Sequence, residues 1–160
     1  MCIRDRFNPF QLVMNRGHYY LVGNHENYDD MSTLRVDRIA HITVLSERRK
    51  PLREIKGYQQ QRTFNVSQYV KEHIYMFGGE SITVSFKAKR SIVNQILDWF
   101  DGNVEFSDVT PDDVVCRVRV NHHAFKYWAL QYMQSVKVLS PASLVTEVKE
   151  AIKEGLQQYS

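Results

Sequence analysis

Cysteine is nearly absent from this chain: two in 160 residues, Cys2 and Cys116, with no Cys-x-x-Cys or mixed His/Cys spacing. That scarcity excludes a disulfide framework and a thiolate-held metal knot. Cys116 alternates with Val114, Val118 and Val120, the pattern of a free thiol buried in a strand. Long apolar runs are missing as well, so neither a membrane-spanning helix nor the apolar stretch of a secretory leader is expected. Together these absences point to a soluble cytoplasmic protein with no membrane partner. Charge of one sign does not dominate either, with 21 basic against 18 acidic residues and a net charge of +3. A protein that coats nucleic acid is usually more lopsided, so a polyanionic partner is neither demanded nor excluded.

The motifs of catalysis are lacking too. There is no Gly-rich phosphate loop, no Gly-x-Ser-x-Gly and no Cys/His pair with an orienting acid. Asp29-Asp30 and Asp112-Asp113 lack the spaced ladder of a calcium loop. His122 and His123 are adjacent, so on a helix they diverge by about 100° and do not readily share one metal ion. We expect no enzymatic activity, no cofactor and no metal site.

What is present is 43% apolar residues, enough for the core of one domain or of two small ones. The opening Met-Cys-Ile-Arg-Asp-Arg reads as a non-native leader, so residues 1–6 are set aside and the chain is expected to be a fragment. Residues 10–14 form a short apolar run. Asn15-Arg16-Gly17 is a turn signal, and residues 18–24 make a second strand of a hairpin. Residues 24–30 form a polar loop, and residues 32–45 are expected to give a third and a fourth strand. Leu34, Val36, Ile42 and Val44 share one parity, which predicts that their face is buried. Arg38 falls on that same parity, where an unpaired guanidinium is not tolerated. Either the chain turns near Asp37 or Arg38 enters a polar pocket. Residues 46–62 are charged and Gln-rich, an exposed linker, and Asn65 with Gln68 resembles a capping box opening a helix over 66–77.

The second half has a regular grammar. Ile82, Val84 and Phe86 alternate as a strand, and residues 91–100 form an amphipathic helix ended by Asp101-Gly102. Residues 104–106 and 114–120 are strands, the latter exposing Arg117 and Arg119. Lys87, Lys89 and Arg90 could join that basic stripe, although a solvated sheet face or a dimer contact is the favoured reading. Asn121 caps a helix carrying Phe125, Trp128, Ala129 and Tyr132. Residues 136–139 are the last strand, and Ser140-Pro141 starts a final helix. This order is that of a ferredoxin-like βαββαβ unit with an extra C-terminal helix, so the fold class is α+β.

Tyr19, Tyr20 and Leu21, followed at family spacing by Arg35, Asp37 and Arg38, resemble the signature of WYL domains, with Tyr19 standing for the family's Trp. Pro9 to Leu12 resembles the family's Pro-x-x-Leu. The Trp128 helix, the Val136-Lys-Val-Leu-Ser-Pro141 junction and the closing helix resemble the WCX extension that follows many WYL domains. The resemblance implies an Sm-like (SH3-type) β-barrel over residues 7–46, incomplete at its N-terminus. A charged linker and connecting helix would follow at 47–79, then a ferredoxin-like WCX domain at 80–160.

It also implies a function. WYL domains are the effector-sensing modules of bacterial transcription regulators, in which a helix-turn-helix contacts DNA. The chain would be the sensing and homodimerising portion of such a regulator, without that DNA-binding part. Its effector would be a nucleotide or an oligonucleotide, held by Tyr20, Arg35, Asp37 and Arg38. Guanidinium forks match phosphate oxygens, and a tyrosine ring offers a stacking face. The bland alternative is that Arg35 pairs with Asp37 at the surface, or that Arg38 does. Two other functions compete. A stand-alone Sm-like or ferredoxin-like protein would bind single-stranded nucleic acid itself. An acylphosphatase-like hydrolase would need an Arg-containing anion loop, for which Lys87-Ala-Lys-Arg90 is a poor substitute.

Overall fold

Backbone hydrogen bonding divides the strands of the computed structural model, which describes residues 5–159, into two antiparallel sheets. With four α-helices among the described residues the chain is α+β, as its pattern predicts. It splits into two units: the first runs through Val70 and adds Met76–Glu80, the second takes Lys71–Tyr75 and everything from Ser81. Of the leader expected at residues 1–6, residues 1–4 lie outside the described part. Arg6 lies within it, its carbonyl accepting from Glu26 N at 2.9 Å and its guanidinium meeting Glu47 at 2.7 Å.

The first unit is built on β1 (Phe7–Asn15), β2 (His18–His25) and β3 (Ser32–Arg35), in that order across the sheet. Arg16 and Gly17 both take positive φ in the β1–β2 hairpin, the conformation a tight turn requires. Val13 and Val22 face a small core with Met31, Leu52, Ile55, Tyr69 and Met76. At Gly23 a Cβ would lie 2.3 Å from the Asn8 carbonyl oxygen, so only glycine lets β1 and β2 approach this closely. The three strands do not close into a barrel among the described residues.

Two expectations for this unit are corrected. The fourth strand does not form: β3 ends at Arg35, a 3₁₀ turn follows at Val36–Arg38, and Ile42 and Val44 are 69% and 91% exposed. A strand needs a partner for its backbone groups. The free flank of β3 is already taken by the segment around Gly78, where Gly79 N donates to Met31 O at 3.2 Å and Thr33 Oγ1 to Met76 O at 2.5 Å. The parity reading is also inverted. The covered face carries Val22 and Thr33, whereas Leu12, Leu21 and Leu34 pair across the outer face, with Leu12 54% exposed. The charged 46–62 stretch is mostly exposed, yet Leu52 and Ile55 anchor it in the core, each contributing about 1.5–3 kcal/mol by burial.

Asn65 Oδ1 accepts from Gln68 N at 3.1 Å, capping α1 (Val66–Glu72), which stops earlier than the expected residue 77. The second unit then follows its pattern closely. Its strands are β4 (Ser81–Lys89), β5 (Val104–Ser107), β6 (Asp113–Asn121) and β7 (Val136–Ser140), ordered β5-β6-β4-β7. Helix α2 (Val93–Phe100) ends at Asp101 and Gly102, both with positive φ. Helix α3 (His122–Gln131) is capped by Asn121, whose Oδ1 accepts from Ala124 N at 3.0 Å. Helix α4 (Ala142–Gln157) closes the unit. One sheet face and the helices share a core of Val84, Phe86, Phe100, Cys116, Phe125 and Trp128, among others. Cys116 is a free thiol there, pushed up to about 11 by burial, which leaves it unreactive.

Candidate functional site

Tyr20 and Arg35 are direct cross-strand partners of β2 and β3, and Val13 continues the same row on β1. Tyr20 is half-buried, its ring packed against the first unit's core, while Tyr19 points the other way and is 56% exposed. Arg35 thus stands at the rim of the covered face, beside an aromatic ring. The 3₁₀ turn at Val36–Arg38 folds the next residues back toward it. This turn resolves the parity conflict at Arg38, which lies at its end, exposed to solvent.

The turn brings Asp37 onto Arg35. Nε donates to Oδ1 at 2.9 Å and Nη2 to Oδ2 at 2.6 Å, a fork-to-fork pair with both bonds charge-assisted. The hydrogen bonds from Arg35 hold the Asp37 carboxyl down to about 2, against an opposing effect of partial burial, and the charges of Arg35 and His18 help. The same bonds raise the Arg35 guanidinium above its ordinary value. Because the folded carboxyl is depressed, the pair stabilises fully above the ordinary 3.8 and is lost as pH falls through about 2. A carbon-detected NMR titration is therefore expected to place the Asp37 midpoint near 2, and Arg35→Ala to return it toward 3.8. An ordinary midpoint in the unaltered chain would mean the fork is open in solution.

Tyr20, Arg35 and Asp37 are thus brought together. The guanidinium of Arg38 makes no ion pair among the described residues, so it remains an uncompensated cation at the end of the turn.

A second polar cluster was not legible in the sequence. Asn8 and Asn24 are buried, and Asn8 Nδ2 donates to Glu26 Oε2 at 2.7 Å. Asn24 Nδ2 donates to the Tyr28 and Asp30 carbonyls at 2.8 and 2.9 Å, tying down the loop before β3. Lys50 closes the cluster, its backbone N donating to Asn8 Oδ1 at 2.8 Å and its Nζ to Glu26 O at 2.7 Å. Arg49 donates to the Pro9 carbonyl at 2.6 Å and lies 4.4 Å from the centre of the Phe10 ring. The only sequence signal was the Glu47-Arg-Arg-Lys run, which reads equally as a solvated linker.

No helix among the described residues is long and apolar enough to cross a membrane. The family model of the WYL domain matches residues 4–44, and that of the WCX domain matches residues 78–156. No curated protein matches the chain. Among solved structures, the proteasome accessory factor B/C (PafBC) of Arthrobacter aurescens aligns at 17% identity and TM-score 0.46, covering 98% of this chain and 22% of that one. A CRISPR Cas-related protein aligns at 17% identity and TM-score 0.52, over 98% of this chain and 44% of that one. The chain therefore spans less than half of either, and the second likeness extends to the fold alone. With a WYL match followed by a WCX match, in the order the signature residues indicate, the chain carries a WYL domain followed by a WCX domain.

Proposed function

We propose that this chain is the effector-sensing and dimerising part of a bacterial WYL-family transcription regulator, cytoplasmic and without enzymatic activity. Its effector is a nucleotide or short oligonucleotide bound at Tyr20, Arg35, Asp37 and Arg38. The observation that carries this reading is the assembly of Tyr20 and Arg35 in one cross-strand row, with Arg38 unpaired on the adjoining turn. Asp37 occupies the fork that a phosphate would use. Effector binding is then an exchange: a phosphate replaces the carboxylate on Arg35, the Asp37 carboxylate is released, and the turn carrying Arg38 gains a second arrangement. A ligand that favours one arrangement shifts the population of the whole regulator.

Two finer fold assignments belong to the same reading. The three-stranded sheet is of the Sm-like kind, which its antiparallel meander supports. The second unit is ferredoxin-like, supported by the βαββαβ order β4-α2-β5-β6-α3-β7, whose strands lie side by side as second, third, first, fourth, β5-β6-β4-β7. DNA contact comes through a helix-turn-helix outside this chain, and two copies pair as a homodimer to match a two-fold operator.

The test is a binding screen of nucleotides, cyclic dinucleotides and short oligonucleotides against the full chain. Arg35→Ala and Arg38→Ala are each expected to weaken the best ligand by about tenfold or more, the scale of a lost charge-assisted contact. Binding undiminished in both variants would remove this site assignment.

A further inference from the structure

One edge of the first sheet is unpaired, and it lacks the charges that usually guard such an edge. β1 has β2 on one side and no strand on the other among the described residues. Its sequence, Phe-Asn-Pro-Phe-Gln-Leu-Val-Met-Asn, contains no lysine, arginine or carboxylate. Pro9 and the irregular register between Pro9 and Gln11 interrupt the first part of the edge, a common form of edge protection. The stretch from Gln11 to Asn15 has no such guard. The tight Arg16-Gly17 turn makes Asn15 and His18 a hydrogen-bonded pair, and Val13 with Tyr20 is the next. The backbone groups of Leu12 and Met14 therefore face outward from the edge. Their side chains lie on the sheet's outer face, both more than half exposed.

The same unit carries a strand-like segment with nothing to pair with. Residues 41–45, His-Ile-Thr-Val-Leu, are exposed throughout and rich in β-branched side chains. Residues 40–46 form no backbone–backbone hydrogen bond among the described residues. The segment is held before and after, by Ile39 N on Val36 O at 3.1 Å and by Glu47 on Arg6 at 2.7 Å. It nevertheless forms no ladder with β1 of its own chain. An antiparallel register with Ile42 opposite Met14 and Val44 opposite Leu12 satisfies both halves at once. Each of these pairs exchanges two backbone hydrogen bonds, about four per edge. Val44 then extends the outer-face row of Leu12, Leu21 and Leu34, and Ile42 extends that of Met14 and Tyr19.

We propose that two copies of this chain exchange these segments, residues 41–45 of each adding a strand to the β1 edge of the other about a two-fold axis. The contact is isologous and closes at two copies, so neither edge is left to propagate a fibre. Leu12, Met14, Tyr19, Ile42, Val44 and Leu45 are each about half exposed or more, which offers about 350 Å² of apolar surface per copy. With the backbone of both strand pairs added, the total reaches about 1,000 Å², the scale at which a specific interface begins. Neither segment contains a lysine, arginine or carboxylate, so the two-fold sets no such like charges against each other. This interface rests on the homodimer reading above and is independent of effector binding at Arg35 and Arg38.

The test is sedimentation velocity of the full chain over a concentration series, where a concentration-dependent dimer is expected. Val44 is 91% exposed, and Leu12 lies on the outer face away from the core, so Val44→Lys and Leu12→Glu leave the fold of the single chain in place. Each substitution occurs twice in the dimer and should weaken it about tenfold. The two positions stand opposite each other across the exchange. Mixing the Val44→Lys chain with the Leu12→Glu chain should therefore restore a dimer to within about threefold of the unaltered one. One strand pair of that mixed dimer gains a Lys–Glu partnership, and the other is unaltered. A monomer at every concentration overturns the proposal, as does a dimer that neither variant weakens, or a mixture no stronger than its components. An unweakened dimer would leave the homodimer reading standing with its contact elsewhere. A monomer that binds the nucleotide probes, and loses them in Arg35→Ala, would sink this interface and leave the sensor site standing. The expected dimer without nucleotide binding does the reverse.

Discussion

Replacing Trp128 with alanine is expected to destabilise the second unit by about 3–5 kcal/mol, the range for emptying the site of a fully buried aromatic. Trp128 is 0% exposed, and its ring centre lies 4.9 Å from Phe100, 5.0 Å from Tyr132, 5.4 Å from Phe86 and 5.5 Å from Phe125. These partners come from β4, α2, α3 and Tyr132 at the C-cap of α3, so one side chain joins the sheet to two helices. Trp128→Phe separates packing from hydrogen bonding. The indole N–H is buried without a partner among the described residues, and burying such a donor costs about 1–3 kcal/mol. Phenylalanine removes that donor while leaving a smaller void, so its net effect should stay within about 1 kcal/mol. Urea unfolding followed by Trp99 fluorescence reads the second unit directly, because Trp99 lies on α2 against Tyr75. Equal losses in both variants would mean that the indole N–H, not the volume, stabilises the fold.

The contrast between the two units shows what a sequence of this kind makes legible. In the second unit the alternation of Val114, Cys116, Val118 and Val120 matches one buried face of β6, and the Asn121 cap is local to its helix. Each of these signals is read from neighbouring residues. The first unit depends on contacts between distant ones. Ile42 and Val44 alternate as strand residues do, but no partner strand reaches them, because the chain near Gly78 has taken the flank of β3. Asn8, Asn24 and Glu26 look like loop residues, and only the approach of Lys50 makes them a buried network.

The candidate site lies between these cases. The conflict at Arg38, a guanidinium on an apolar parity, left a turn near Asp37 or a polar pocket as its two resolutions, and a 3₁₀ turn stands there. Which arginine Asp37 would choose was not legible. The choice follows from geometry: Arg35 precedes the turn and can offer Nε and Nη2 in one plane to a carboxylate folded back over it. Arg38, at the turn's end, points away into solvent.

That pairing sets up the sharpest test of the exchange mechanism. Asp37→Asn should bind an anionic effector more tightly than the unaltered chain, by about three- to tenfold. An asparagine carries no charge and offers one acceptor oxygen, so it cannot hold the guanidinium fork as a carboxylate does. The incoming phosphate then meets Arg35 free, not already engaged. Between pH 4 and 8 the carboxyl of the unaltered chain stays ionised, since Arg35 holds it down to about 2, so the gain should be constant across that window. Arg35→Ala removes the group for which both anions compete. In the double variant Arg35→Ala/Asp37→Asn the gain from Asp37→Asn should therefore vanish, a non-additivity that a double-mutant cycle measures. Should Asp37→Asn weaken binding as much as Arg35→Ala does, Asp37 positions the arginine for the ligand and the exchange is not how the site works.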